Sequence, residues 1–272
     1  MIDAARALYW WLDARGGFVS NRIRIVVTYR VDAVVRLTGP MLQVVLMGAL
    51  WRALYRGETT VDGVSLDVMT TYVSLAAMQQ LVNRDDTIDW LSRRVRTGAI
   101  GTDLAQPVGL LTQQVCGQVA QLVVKLPMVV LMLPVSLVAT RLTAPAPGAL
   151  GPYLLASVLG WLINSCLNLL VAVTCFWTSE LVGMAFLYFV ISGFLSGALV
   201  PLWFMPGWLA SVLGWLPLQA VIFTPLSIYL GQSAGAAAWQ AVGVQLLWLA
   251  VLAGAVWLVF RRAVRRAVVH GG

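Results

Sequence analysis

Histidine and lysine occur once each in this 272-residue chain, as His270 and Lys125, and acidic residues number only eleven. One histidine at the extreme C-terminus excludes a Ser/His/Asp triad, an HExxH zinc protease and a His-rich metal site. One lysine inside an apolar run, with no glycine-rich loop leading to Gly-Lys-Ser or Gly-Lys-Thr, excludes a nucleotide-binding P-loop. The acidic residues fall almost entirely in loops or interfacial segments, so a proton-coupled transporter lacks its usual buried carboxylates. Cysteine is scarce too. Cys116, Cys166 and Cys175 are odd in number, lack CxxC spacing and stand in apolar or near-apolar sequence, which fits small core residues better than a disulfide framework or a zinc site.

The longest absence is of charge. Between Glu180 and Arg261 lie eighty consecutive residues without Lys, Arg, Asp or Glu, punctuated by Pro201, Pro206, Pro217 and Pro225. A soluble domain cannot leave such a stretch uncharged, so the chain belongs in a bilayer. One helix crosses the hydrocarbon in roughly 20 residues, so eighty suit two spans with something between them. From about Val200 to Gly231 the sequence is broken and rich in tryptophan, and each interior proline removes a donor and clashes with the preceding turn. Short re-entrant or interfacial helices are expected there, with Trp203, Trp208 and Trp215 at headgroup level.

What is present fits that reading. The chain is 60% hydrophobic and 11% charged, which leaves no room for a sizeable soluble domain, so residues 1–272 read as one transmembrane domain. The expected fold is all-α, with six transmembrane helices at about 37–55, 64–82, 120–140, 153–177, 182–200 and 236–260. An amphipathic interfacial helix at about 18–36 precedes them, its polar stripe carried by Ser20, Arg24, Thr28, Asp32 and Arg36. The second span is interrupted by Gln79 and Gln80. The start, with only a short apolar run from Ala7 to Leu12 and no small-residue cleavage site after it, does not read as a signal peptide. With both termini in the cytoplasm, every arginine except Arg52, Arg56 and Arg141 falls inside, as the positive-inside rule asks. Lipid and topology thus account for the net charge of +7 before nucleic acid does. The preponderance of arginine over lysine suggests a GC-rich, bacterial coding sequence.

Three features could carry function. In the cytoplasmic interval, Asp85, Asp86 and Asp89 open and Arg93, Arg94 and Arg96 close a predicted helix from about Thr87 to Thr97, complementing its dipole, and Gly98 suits its C-cap. Ile88, Leu91 and Val95 share one face, so this short helix either docks a partner or packs on its own bundle or headgroups. Gln114, Gln118, Gln121 and Lys125, spaced 4, 3 and 4, lie on one helix face; Lys125 snorkels at the inner interface, or the stripe lines a wet pathway. Asn164 and Asn168, four apart in the fourth span, suit interhelical hydrogen bonds or substrate contact.

In this order of parts the sequence resembles the membrane subunit of an ATP-binding-cassette exporter of the type-2 permease family. Two stretches carry the resemblance: RTGAIGTDLAQPV at 96–108, and SGALVPLWFMPGWL followed by LPLQAVIFTPLSIYLG within 196–231. Where related sequences often have Leu-Arg, this chain has Ala105 and Gln106 before Pro107. The resemblance implies that the chain is no enzyme and carries no cofactor, ATP and magnesium being held by a separate ATPase. It implies two permease subunits, identical or related, around the path. It also makes Thr87 to Thr97 the ATPase-coupling helix, through Ile88, Leu91, Arg93, Arg94, Val95 and Arg96. The outer gate would be built around Pro201, Trp203, Pro206, Trp208, Pro217 and Pro225, and a pathway could use Gln114, Gln118, Gln121, Lys125, Asn164 and Asn168. The expected function is export of a hydrophobic or amphiphilic substrate across the cytoplasmic membrane. An ion-driven transporter or a membrane scaffold is the alternative from another class.

Overall fold

The computed structural model describes residues 30–61, 63–104, 109–178 and 182–270. Most of the predicted interfacial helix at 18–36 and the Ala105 to Val108 end of the first family-like stretch lie outside them. From Arg30 to Arg36 the chain is helical and runs without a break into the first span, as α1 (Arg30–Tyr55), with Pro40 accommodated inside it. A small antiparallel hairpin, β1 (Thr60–Val61) and β2 (Val64–Ser65), leads to α2 (Leu66–Asn83), whose N-cap Ser65 accepts from the Val68 amide. Then come α3 (Thr87–Arg96), α4 (Ile100–Leu104), α5 (Leu110–Thr140), α6 (Leu150–Val173) with a 3-10 turn at Thr174–Phe176, and α7 (Val182–Leu195). Short pieces follow, including α8 (Gly207–Gly214) and α9 (Phe223–Tyr229), before α10 (Ala236–His270).

Among the described residues four helical stretches are long and apolar enough to cross a membrane: Leu37–Tyr55, Leu110–Thr140, Leu150–Phe176 and Ala236–Ala263. The predicted second and fifth spans do not meet that measure, for different reasons. In α2, polar Thr70, Thr71, Ser74 and the two glutamines dilute the apolar character, yet the helix is buried on nearly every side. A helix with no charge beyond its first turn can occupy that central place. The fifth helix ends at Leu195, not at about 200, because Gly197 takes a left-handed φ of +81° and the Ser196 carbonyl turns to accept the Phe223 amide. The third extends further back than 120. Its glutamine-bearing lead-in is one helix with the rest, and Pro127 and Pro134 each forgo a backbone bond without ending it. The sixth runs on through the arginines to His270.

Hydrogen bonds fix how the helices stand beside one another. At one end, Thr70 Oγ1 donates to Thr140 O at 2.9 Å, Ser74 and Thr140 share a hydroxyl pair, and Arg52 reaches Ala139 O. At the other, Lys125 reaches Val82 O and Asn164 Nδ2 donates to Asn83 O at 2.7 Å. Thus α2 runs antiparallel to α5, with α3 at the end opposite the hairpin. The main core surrounds α2, gathering Val44, Tyr72, Met132, Ile163, Val221 and Leu226.

The broken stretch is made of pieces that the prolines delimit. Pro201 and Pro206 each sit immediately before a helical turn, and Pro225 is in the first turn of α9, where no amide is needed. Its 3-10 turn at Gln219–Val221 lies against Gly160, where a Cβ would come within 2.8 Å of Ala220 O and 2.9 Å of Val221 O. Gly160 stands ten residues past Leu150, about 15 Å along α6 at 1.5 Å per residue. The turn's carbonyls are satisfied there by side chains: Gln79 Nε2 donates to Val221 O at 3.0 Å, and Gln245 Nε2 to Ala220 O at 2.8 Å and Ala156 O at 3.0 Å.

Gly160→Ala should therefore lower the unfolding temperature in detergent, at a cost of roughly 1–3 kcal/mol for forced overpacking. Gly117→Ala, where a Cβ meets nothing within 4 Å, should not. Equal melting of the two variants would refute the close approach.

Candidate functional site

The junction between α2 and α3 is where the polar side chains converge. Asp85 Oδ1 accepts the Thr87 amide at 2.5 Å, satisfying one of the free donors at the start of α3. Thr87 is fully buried, and its hydroxyl oxygen accepts from Gln114 Nε2 and, at 3.1 Å, from Gln118 Nε2. Gln118 Nε2 also donates to Asp85 Oδ2 at 3.1 Å, and Gln121 Nε2 to Asp86 Oδ1. Lys125 Nζ donates to Arg84 O, at the C-terminal end of α2, where free carbonyls and the helix dipole favour a cation. All four members of the predicted stripe on α5 therefore meet the segment Arg84–Thr87. Burial raises the Asp85 carboxyl above the usual carboxylate range, while the Thr87 hydrogen bonds and the charge of Lys125 pull it back. Separating the two helices would strand buried donors and acceptors at about 1–3 kcal/mol per group.

Asn164 makes an interhelical bond, to Asn83 O, whereas the Nδ2 of Asn168 donates within α6 to Asn164 O at 3.0 Å. Neither bond brings this pair to the glutamine stripe.

The helix α3 divides its predicted residues between two faces. Leu91 is 1% exposed and Trp90 is buried with it against Leu169, Ala172, Val173, Val256 and Phe260, and Ile88 and Val95 pack on the same cluster. The apolar face is thus consumed by the chain's own α6 and α10. Arg94 turns sideways: its guanidinium lies 5.5 Å from the Trp90 ring centre and pairs with the buried Asp103 at 2.6 Å, tying α3 to α4. Asp89, Arg93 and Arg96 are left exposed. Gly98, at φ +72°, follows the helix and donates its amide to Val95 O, as its place in the sequence predicts.

At the opposite end the proline-rich segment has an aromatic interior and an exposed rim. Trp203 stands edge-on to Tyr72 at 5.1 Å and tilts against Phe223 at 5.4 Å. Trp208 and Trp215 are 71% and 82% exposed. Pro225 is buried, Pro217 half-buried, Pro206 exposed, and Pro201 buried beside Leu202. Tyr72 Oη donates to Gly197 O at 2.7 Å, pinning the point where α7 gives way to the broken stretch.

Sequence reasoning passed over Tyr72, Thr87, Gly160 and Gln245 as organising residues. Gln245 offered a signal, as an amide deep in an uncharged apolar run, and Gln79 was visible only as an interruption. Gly160 offered none, being one of 24 glycines.

A helical bundle with four membrane-length apolar stretches, a charged short helix at one end and a proline-broken segment at the other is a multi-pass membrane protein. A family model described as ABC-2 family transporter protein matches residues 41–271, and the chain belongs to that family. No curated protein and no solved structure matches it. Membership places the chain among the membrane subunits of ATP-binding-cassette transporters and implies partnership with an ATPase subunit.

The two faces of α3 predict opposite mutational behaviour. Leu91→Ala should destabilise the chain by about 2–5 kcal/mol, as truncations of buried leucine do, and lower its melting temperature. The double variant Arg93→Glu, Arg96→Glu alters only exposed side chains and should melt close to the parent.

Proposed function

We propose that this chain is the permease subunit of an ATP-driven exporter of the type-2 class. Six helices cross the membrane, both termini lie in the cytoplasm, and a hydrophobic or amphiphilic substrate leaves the inner leaflet or cytoplasm. The observation that carries this reading is the split character of α3. Its apolar residues are spent on the chain's own core, while Asp89, Arg93 and Arg96 stay exposed at the end where the positive-inside rule puts the cytoplasm. A charged, exposed face of this kind suits docking to a soluble ATPase, with electrostatic complementarity setting partner choice and register. On this reading Arg93 and Arg96 contact the ATPase, while Ile88, Leu91, Val95 and Arg94 seat the helix.

The proline-rich segment supplies the outer gate. Its backbone reaches mid-helix depth as a re-entrant structure held by Gln79 and Gln245, and Trp208 and Trp215 rest at headgroup level. The fifth helix, α7, offers an apolar face to a second permease subunit: Phe186, Leu187 and Phe189 are 69%, 58% and 65% exposed. A partner copy or a related chain covers that face, with lipid around the remainder.

The test is purification of the tagged chain after co-expression with its neighbouring genes. An ABC ATPase should co-purify with the parent, and Arg93→Glu, Arg96→Glu should reduce its recovery and the associated ATP hydrolysis by about tenfold or more, the loss of roughly 1.4 kcal/mol of binding. Recovery unchanged by the charge reversal would reject docking on α3.

A further inference from the structure

The polar junction described above lies at one end of α5, and a second polar junction lies just past the other. There the Thr140 hydroxyl meets Ser74, the Thr143 amide donates to Thr71 Oγ1 at 3.0 Å, and Tyr229 Oη donates to Thr143 O at 2.9 Å. Tyr229 closes α9, the last piece of the proline-broken segment, and its carbonyl also accepts the Ala146 amide at 2.9 Å. A single helix of 31 residues, which continues through Pro127 and Pro134, thus links the base of α3 to the base of the outer segment.

Apart from the Arg94–Asp103 ion pair to α4, the other contacts of α3 are of a different kind. Against α6 and α10 it places apolar side chains, and apolar contact is non-directional, so it permits sliding. The contacts of α5 with Arg84–Thr87, the turn that opens α3, run from Gln114 to Lys125, about 16 Å of helix at 1.5 Å per residue. They are directional, and Thr87, Gln114 and Gln118 are buried, so separating them leaves polar groups without water.

We infer that α5 is the transmission rod of this permease: Thr87, Gln114 and Gln118 clamp α3 to it, and Thr143 with Tyr229 delivers its movement to the outer segment. The inference rests on the permease reading and assigns Thr87 and Tyr229 as positioning residues. Thr87 is buried and takes no part in the exposed docking face. A displacement of α3 by the ATPase enters the membrane through α5, and α6 and α10 serve as a surface over which α3 shifts.

The test uses the full chain with its co-purified ATPase, in a background with Cys116, Cys166 and Cys175 changed to Ala. Ser227→Cys in α9, a near-isosteric change at a buried site, reports by its rate of maleimide labelling with and without ATP and vanadate. The parent should show an ATP-dependent change in labelling. Thr87→Val keeps the shape and removes the hydroxyl; it should retain ATPase recovery and hydrolysis but lose the labelling response, and Thr87→Ser should restore it. Tyr229→Phe, at the far end, should lose the response in the same way with hydrolysis intact. A normal response in Thr87→Val or in Tyr229→Phe overturns the rod while leaving the permease reading in place. A parent with a bound, active ATPase and no ATP-dependent change overturns coupled movement of the outer segment altogether. A parent that recovers no ATPase overturns the permease reading itself.

Discussion

Backbone amides and carbonyls within a bilayer must find partners inside the protein, and this requirement organises the rest of the structure. Away from Pro40, Pro127 and Pro134, the long helices meet it by themselves. The turn at Gln219–Val221 does not, and the carbonyls of buried Ala220 and Val221 sit beside Gly160, ten residues along α6. Gln79 from α2 and Gln245 from α10 supply those donors, and Gly160 in α6 supplies the space. Three helices distant in sequence are thereby committed to one irregular segment. The same economy governs the ends of α2, whose last carbonyls are met by Lys125 and Asn164.

The broad plan was legible because it depends on local rules. An uncharged run of eighty residues, the spacing of apolar stretches and the positions of prolines give long helices and a broken segment without reference to tertiary contacts. The α3 boundaries were legible too, from acidic residues at its start, basic residues at its end and Gly98 after it. Assignments that depend on neighbours were not. The periodicity of Gln114, Gln118, Gln121 and Lys125 shows that they share a face, but only the return of the Asp85–Thr87 turn to that face shows what they bind. Ile88, Leu91 and Val95 likewise share a face in sequence, and only packing reveals that α6 and α10 cover it. The end of α7 at Leu195 was hidden because the residues after it are as apolar as those before; a glycine φ and a hydrogen bond across 27 positions, from Phe223 to Ser196, decide it.

Function follows from how these constraints divide the molecule. One end presents a short helix whose charged side is free and whose seat is fixed by buried hydrogen bonds. The other presents a segment of short helices with an aromatic interior, tied to α2 through Tyr72 and to the α5–α6 connection through Tyr229. On the proposed reading, the first end receives the ATPase and the second forms the outer gate of this ABC-2 family chain. On that reading, the energy arrives from a separate ATPase through α3.

Docking on α3 through its charged side is the central proposal. Site-specific photocrosslinking reads this directly, with a photoreactive amino acid placed in turn at Asp89 and at Leu91 in membranes containing the co-expressed partner, and crosslinked products identified by mass. A crosslink to an ABC ATPase from position 89, and only intramolecular products from position 91, is the predicted result. Crosslinking to the ATPase from position 91, or its absence from position 89, would contradict the seating of α3 and the route by which ATP hydrolysis reaches the membrane.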